Sequence, residues 1–594
     1  MKLFGGAAKV RRFVGRAPSL VQLMAPRAAT AGAIGNEVSP QGTSGGRETQ
    51  WALQGPLGSR SFRDFAGRVA DAEAEVTGSR CKWAVSWGLW LARVLLVGQF
   101  LWLAGFSWVE FHRGALTFDY SVFNQGAWLI AHGRFEPYDT VRGLPLWRNN
   151  GELILWPLSV LTYLPPEGLW LLWAQDLAVC VTGWVTVSWA AEFLAHRPRA
   201  WWRSTGVLLA CVLWVANPKV YATAAFDFHT EVLGACFAVL AGRELWRGRA
   251  RRAWAWLALV LATGFVASTY AAALGAVVLT LRHGPSRAGV SRRVGVGVVA
   301  VALGWMGVLT LLHGNLASDL AAKYGYLAAG TRRSDVSQIA VSALTHPSRV
   351  LAQLRLNSRN LWANLAPNGL IGVLSPWGLF MVVLVTVPDT LVSGTNFASV
   401  GFQNFPAFAF VLFGTVVTFD RLLAALSAKW LGVVLAGCAA LWAGLSGITV
   451  LPTYPSYWWA VSAKAGRTLA LVRALIPPGA EVVASQGISG RFSSRGDALV
   501  IVGLPYEITT TGKVVYFVLS PTVGLQTTAP GNTLALKGWL ESRGARVILE
   551  RSDIWLLGLR TGGVARSLLL PGRSAVCRET GGSATSPGGC YSPY

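Results

Sequence analysis

Charge is what this sequence has least of. Only 13% of its 594 residues are Asp, Glu, Lys or Arg, where a soluble domain carries about 25%. Hydrophobic residues make up 53%. That balance argues against a wholly water-soluble chain and makes lipid the solvent for much of it. Acids are the scarcer sign: 28 Asp and Glu face 52 Lys and Arg, for a net charge of +24. A surplus of that size first suggests nucleic acid. The Arg clusters, however, lie in short loops between apolar runs. That is the positive-inside pattern of a membrane protein, and it excludes a nucleic-acid partner.

Chemistry-bearing motifs are also sparse. There are seven Cys. Cys180, Cys211, Cys236 and Cys438 sit inside apolar runs, where a thiol acts as a small hydrophobe. Cys577 and Cys590 are a candidate disulfide pair if that end lies outside the cytoplasm. No CxxC or His/Cys spacing offers a metal site. No Walker A loop and no GxGxxG after a strand offers a nucleotide cofactor. Ser485 and Ser520 lack a GxSxG frame.

What the sequence does have is 28 Trp, a residue that favours the membrane–water boundary, and a series of long apolar runs. Residues 1–80 are polar and basic, with six Lys or Arg and no acid in the first 36. They read as a disordered cytoplasmic tail, with a transit peptide as the alternative. The first span runs from about Trp83 to Trp108, with Arg93 inside it. An outer loop follows at 109–150, with an amphipathic piece from Phe118 to His132. Further runs lie at 153–164, 168–192, 204–222, 229–242, 253–281, 294–313, 367–388, 403–419 and 430–450, with a second outer loop at 314–366. The fold expected is an all-α polytopic bundle of roughly nine to eleven embedded helices.

Sidedness follows from the Arg loops at 197–203, 243–252 and 282–293, which should be cytoplasmic. The parity of crossings then requires 153–164 and 168–192 to cross once in total. It also requires 253–281 and 367–388 each to make two short passes. Residues 453–560 should form a small extracytoplasmic α/β domain, with strands at Glu481–Ser485, Leu499–Gly503, Val514–Leu519, Arg546–Leu549 and Ile554–Leu559. A helix there, Asn532 to Ser542, is expected to be capped by Asn532. Residues 561–594 read as a disordered tail. The location implied is a multi-pass plasma-membrane protein, in a bacterium judging from its Ala, Gly, Val and Arg usage.

Three places carry candidate chemistry, because charges beside membrane segments are costly to keep. In the stretch Phe118 to Trp128, Asp119 is a candidate general base, and Asn124 and Gln125 are candidates for binding sugar hydroxyls. The plainer alternative is that Asp119 caps a surface helix. In the second place, Asp227 and His229 flank Phe228, with Lys219 upstream. They can share a proton or grip a phosphate, or simply face headgroups. The third is Ser268-Thr269-Tyr270, midway along an apolar run. It is either a helix break beside a substrate site, with Tyr270 a substrate contact, or a back-bonded polar interruption.

Four pieces in this order resemble an uncharacterised prokaryotic family of integral membrane proteins, a domain of unknown function. They are Phe118-Asp119 through Gln125 to Trp128, then Asp227-Phe228-His229 with Glu231, then Tyr324-Gly325-Tyr326 through Thr345-His346-Pro347, then Ile476 through Ser485 to Arg495. The resemblance covers about residues 85–560. That family looks like a distant relative of GT-C glycosyltransferases, which take sugar from a polyprenyl-phosphate lipid on the outer face, using an acid in the first outer loop. The resemblance implies a GT-C-like bundle, Asp119 as that acid, Lys219 and His229 at the lipid phosphate, and a cell-envelope acceptor. This chain departs from the family in two places. Ser268-Thr269-Tyr270 stands where members carry Lys-Glu-Asp, and no His precedes Pro157. The rival expectation is a non-catalytic membrane protein on the same fold: a transporter, a lipid-handling protein or an envelope-assembly scaffold.

Overall fold

The computed structural model describes residues 87–196, 200–281, 290–313, 320–321, 323–328, 336–392, 401–426, 437, 441 and 460–572. The expectations for residues 1–80, for the run 430–450 and for the Cys577–Cys590 pair lie outside the described residues.

The membrane portion is helical. Its long elements are α1 (Trp87–Arg113), α2 (Phe118–Ala131), α3 (Leu169–Phe193), α4 (Ala200–Val215), α5 (Pro218–Ala225), α6 (Thr230–Trp246), α7 (Ala250–Ala262), α8 (Phe265–Thr280) and α9 (Arg292–His313). After a set of short helices come α10 (Pro376–Thr390) and α11 (Phe405–Leu426). Among the described residues four helices are long and apolar enough to cross a membrane, in α1, α3, α9 and α11. A fifth span results if α4 and α5, bent by 44° at Ala216-Asn217, count as one. The core between them is aromatic, with Trp189 stacked on Phe413 at 3.8 Å and edge-on to Trp377 at 4.8 Å. At the end of α3 remote from residue 169, Glu192 pairs with Arg243, and with Arg247 at 2.6 Å, while Arg247 reaches Glu244 at 2.8 Å. The Arg-rich loop after α6 is thereby tied to α3.

Two of the runs in the parity argument are interrupted. Residues 155–163 form one helical turn and a 3-10 segment, too short to cross a membrane, whereas α3 is long and apolar enough to do so. The run 253–281 is broken, but at Gly264 (φ +127°), not at Ser268-Thr269-Tyr270. The loop before residue 155 inserts there. Ile154 N–H donates to Ala262 O at 2.8 Å, and Phe265 N–H to Asn150 O at 2.8 Å, satisfying both helix ends. Ser268 to Tyr270 lie inside α8.

A linking helix, α12 (Ala463–Leu475), leads into the α/β domain. Its sheet has strands β1 (Glu481–Ser485), β2 (Ala498–Ile501), β4 (Val514–Leu519), β5 (Arg546–Arg551) and β6 (Ile554–Arg560), in the order β2-β1-β4-β6-β5. β2, β1 and β4 run parallel, and β6 is antiparallel to both its neighbours. β1 is buried along its whole length, as a central parallel strand is. Helix α13 (Pro530–Ser542) covers one face through Leu536 and Trp539, and α12 covers the other through Leu469 and Val472. Two expectations are corrected. The cap of α13 falls at Ala529, because Pro530 takes the first helical position. The domain also continues past residue 560: β7 (Arg566–Leu570) pairs antiparallel with β3 (Tyr506–Thr510), so its start is strand, not tail.

Candidate functional site

Asp119 lies in the first turn of α2. Its position is set by a residue more than a hundred places later. Asp227, buried at a left-handed φ of +34°, points its carboxylate at the start of α2. It accepts from Thr117 N–H at 2.9 Å, from the Thr117 hydroxyl, and from Tyr120 N–H at 3.2 Å. These are the donors a helix N-terminus leaves unpaired. The residue that caps α2 is therefore Asp227, reaching across from the α5–α6 loop, while Asp119 stays half-exposed beside it. Asp227 was expected to face substrate, but its oxygens are taken by this cap. Burial foremost, then the charge of Asp119, pushes its carboxyl up to about 6, against the hydrogen bonds from Thr117.

His229 closes the same loop. Its Nε2 is 3.7 Å from Asp119 Oδ2, and its Nδ1 is 3.8 Å from Glu231 Oε2. The His side chain is 4% exposed and the Asp119 side chain 38%. The row thus runs from an accessible carboxylate inward to a buried ring and a buried acid. Burial alone would lower the ring's proton affinity. The carboxylates of Glu231, Asp119 and Asp227 outweigh that and hold it above its ordinary value. Nε2 has no hydrogen-bond partner among the described residues. Phe402 stacks on the ring at 3.7 Å and Phe226 at 5.5 Å, with Phe123 edge-on. Gln175 of α3, fully buried, fixes this loop. It accepts from His229 N–H at 2.7 Å and donates to Asp227 O at 2.6 Å.

The other expected contacts are placed differently. Tyr270 donates to Gln403 O at 2.9 Å and is buried, so its hydroxyl faces protein. Lys219, also buried, is near the far end of α5 from His229 and lies in the field of Asp389. Asp389 in turn accepts from Asn404. The segment Gly401–Asn404 connects all of these: Phe402 touches His229, Gln403 receives Tyr270, and Asn404 holds Asp389.

Asn124 and Gln125 were expected to bind sugar hydroxyls, but both are buried and their amides go to the α/β domain. Asn124 Nδ2 donates to Ser493 Oγ at 2.8 Å and Ser494 Oγ at 3.0 Å. Gln125 Nε2 donates to Thr140 Oγ1 at 2.7 Å and to the carbonyls of Arg495 and Gly496 at 3.3 Å. Gln125 Oε1 accepts from Thr140 N–H at 3.0 Å. Thr140 then bonds the backbone of Ala498 at the start of β2. Ser121 meets Ser489 at 2.7 Å, and Gly490 N–H donates to Leu116 O at 3.0 Å. Ten of the 14 residues of α2 are buried, so it is a docking helix and not a surface helix.

Sequence reasoning missed Gln175 and Phe402, and did not give Glu231 its place behind His229. Gln175 lies in an apolar run, where the adjoining Asp176 was the available signal, and Phe402 stands just before another with nothing local to mark it. Glu231, two residues from His229, was signalled by spacing alone. Among the described residues no group of three or more His, Cys, Asp or Glu is arranged to hold a metal ion.

The model of a protein family described as "Predicted membrane protein (DUF2079)" matches residues 115–518. That stretch runs from the turn before α2 into β4 of the α/β domain. No curated protein matches. Among solved structures, the chain is similar to ArnT from Cupriavidus metallidurans bound to undecaprenyl phosphate. The TM-score is 0.43 at 12% identity, over 80% of this chain and 99% of that one. The apo state of the same protein gives 0.41 at 13% identity, over 78% and 98%. The archaeal oligosaccharyltransferase AglB from Archaeoglobus fulgidus, in complex with an inhibitory peptide and a dolichol-phosphate, gives 0.33 at 12%, over 69% and 64%.

Proposed function

The chain belongs to DUF2079, a family of membrane proteins, and from that premise we propose that it is a GT-C-like glycosyltransferase moving a sugar from a polyprenyl-phosphate carrier to a cell-envelope acceptor. The donor class comes from the distant likeness of that family to GT-C glycosyltransferases. The observation that carries the reading is the row Asp119, His229, Glu231, with its accessible end at Asp119.

The step is an inverting displacement. An acceptor hydroxyl attacks the anomeric carbon, and its proton passes to the Asp119 carboxylate. The bond from that carbon to the phosphate oxygen breaks, and its electron pair leaves with the carrier phosphate. His229, whose two neighbouring carboxylates favour its protonated form, faces the charge that develops on that phosphate. Lys219, buried at the far end of α5, takes no part in this step. Asp227 and Gln175 touch no substrate: they hold Asp119 and His229 where they are. In this reading the site and the α/β domain face outward.

The test is transfer by membranes carrying the full chain, supplied with a series of polyprenyl-phosphate-linked sugars. Asp119→Asn is expected to lower transfer by about 10²–10⁴-fold, the range for losing a positioned base. Full transfer by that variant removes Asp119 from the role. One observation favours the rival, non-catalytic reading: Asn124 and Gln125, the amides expected to bind sugar, hold the α/β domain in place instead. A chain whose biological role persists with Asp119 and Glu231 both neutralised would belong to that class.

A further inference from the structure

The seam between the membrane helices and the α/β domain holds a charged feature that the proposed chemistry does not use. Helix α12 packs against the end of α1, and Gly466 permits it: a Cβ there would lie 2.9 Å from Arg113 Cα. At the adjoining Gly114, Leu469 of α12 and Arg491 both crowd in, 3.1 and 3.6 Å from where a Cβ would stand. Arg491 lays its guanidinium over the Phe111 ring at 5.7 Å and donates to Phe111 O at 3.4 Å. Arg495, 9% exposed, donates to Ala480 O at 3.1 Å. The Nε of each is buried with no partner among the described residues.

Arg473, in the last turn of α12, lies within the electrostatic reach of both. Among the described residues no carboxylate forms an ion pair with any of the three. The acid whose field Arg473 does meet is Glu167. Three guanidiniums thus share a partly buried seam with less negative charge than they carry.

The depth of the seam can be read from aromatic side chains. Trp108 of α1 stacks near Trp173 of α3 at 6.2 Å, and Trp173 meets Trp170 at 4.9 Å. Trp108 is 45% exposed. Indoles settle at the membrane–water boundary. Arg113 lies five residues further along α1, about 7.5 Å at the helical rise, which places the seam among headgroups. The outer side of α12 fits that level. Lys464, Arg467, Leu471 and Leu475 are exposed at spacings of three, four and four, forming one stripe. A helix with cations and leucines on its free side is the pattern of an interfacial helix.

We propose that this seam, with the free stripe of α12, binds the phosphate headgroup of an anionic membrane phospholipid. Arg473 and Arg491 grip the phosphate, and Leu471 and Leu475 lie against the acyl chains. Arg495 adds charge from behind. The lipid fixes the α/β domain to the membrane surface at the point where α12 meets α1. The test reads lipid binding and not transfer, so it does not depend on any transfer activity.

The purified full chain, in neutral detergent, is titrated with dioleoyl phosphatidylglycerol and with dioleoyl phosphatidylcholine, and bound lipid is counted by native mass spectrometry. A preference for the anionic lipid of about tenfold is expected, from two cations near the headgroup plane. The pair Arg473→Gln and Arg491→Gln is expected to reduce it to about twofold or less. Arg473→Lys, which keeps the charge, should retain most of it. Equal binding of the two lipids by the unaltered chain overturns the proposal whatever the variants do. A preference unchanged in the double variant overturns the placement at this seam. If the double variant does not fold, Arg473→Gln alone, at a half-buried position, decides instead, and an unchanged preference there overturns it. Displacement of the lipid by millimolar inorganic phosphate would mean a site for the free anion, which overturns the lipid assignment.

Discussion

At the residue scale, two aspartates meet at the start of α2 and do different work. Asp227 is buried and bonded to Thr117 and Tyr120, and Asp119 is half-exposed and faces His229. Asp227→Ala removes a cap that the helix cannot replace locally, since Thr117 makes no side-chain cap bond of its own. The expected cost is about 1–3 kcal/mol of stability, for stranding buried N–H groups. It should appear as a lower unfolding midpoint in neutral detergent, together with reduced transfer. An unchanged midpoint would show that α2 does not depend on this cap. The same region sets a pH dependence. Burial foremost raises Asp139 and Glu152 to about 7 and Asp227 to about 6. Each carboxyl holds its proton more tightly folded than unfolded, where it titrates near about 4. The stability they give is complete at low pH and is lost as pH rises through about 6 to 7. Asp139→Asn combined with Glu152→Gln should flatten that decline. A difference between variant and unaltered chain that does not change with pH across this window would contradict the assignment.

At the element scale, the first and fourth pieces of the sequence signature meet each other. Phe118 to Trp128 forms α2, and the segment from Ile476 to Arg495 carries the serines and carbonyls that α2 grips. Much of that pattern is therefore explained by docking. Gln125→Ala would leave Thr140 and two carbonyls of the α/β domain short of donors, a loss of about 1–3 kcal/mol. The expected sign is faster protease cleavage between residues 476 and 498 with the helical bundle intact; protection equal to the unaltered chain would place the hold elsewhere. This scale also shows what was legible beforehand. β1 and β4 were readable to the residue, because buried parallel strands are continuous apolar runs between turns. β3 and β7 were not, since they are short, largely exposed strands that pair only with each other. The break at Gly264 was hidden, because the groups that satisfy it, from Asn150 and Ile154, lie more than a hundred residues away.

At the scale of the whole molecule, the bundle, the first loop and the α/β domain converge on one end of α1 and α3. The resemblance assigned Asp119 as the acid and His229 to the lipid phosphate, and the two groups lie 3.7 Å apart. The roles of Asn124, Gln125 and Asp227 could not be separated from it by sequence alone. A buried amide and a substrate-facing amide look the same in one chain, and only contacts distant in sequence distinguish them. Gln175 and Phe402 went unnoticed for the same reason: each acts through a partner loop, Phe226–His229, that local pattern does not connect to it. The molecule is thus best described as a membrane bundle whose α/β domain is locked over the segment after α1, leaving Asp119 as the accessible acid of the row. The measurement that tests this most directly is release of polyprenyl phosphate from a labelled polyprenyl-phosphate sugar by the purified full chain, set against Asp119→Asn at a matched unfolding midpoint. The account predicts release by the unaltered chain and a rate lower by about 10²-fold or more in the variant. Equal rates, or no release with any donor while the chain remains folded, would contradict it.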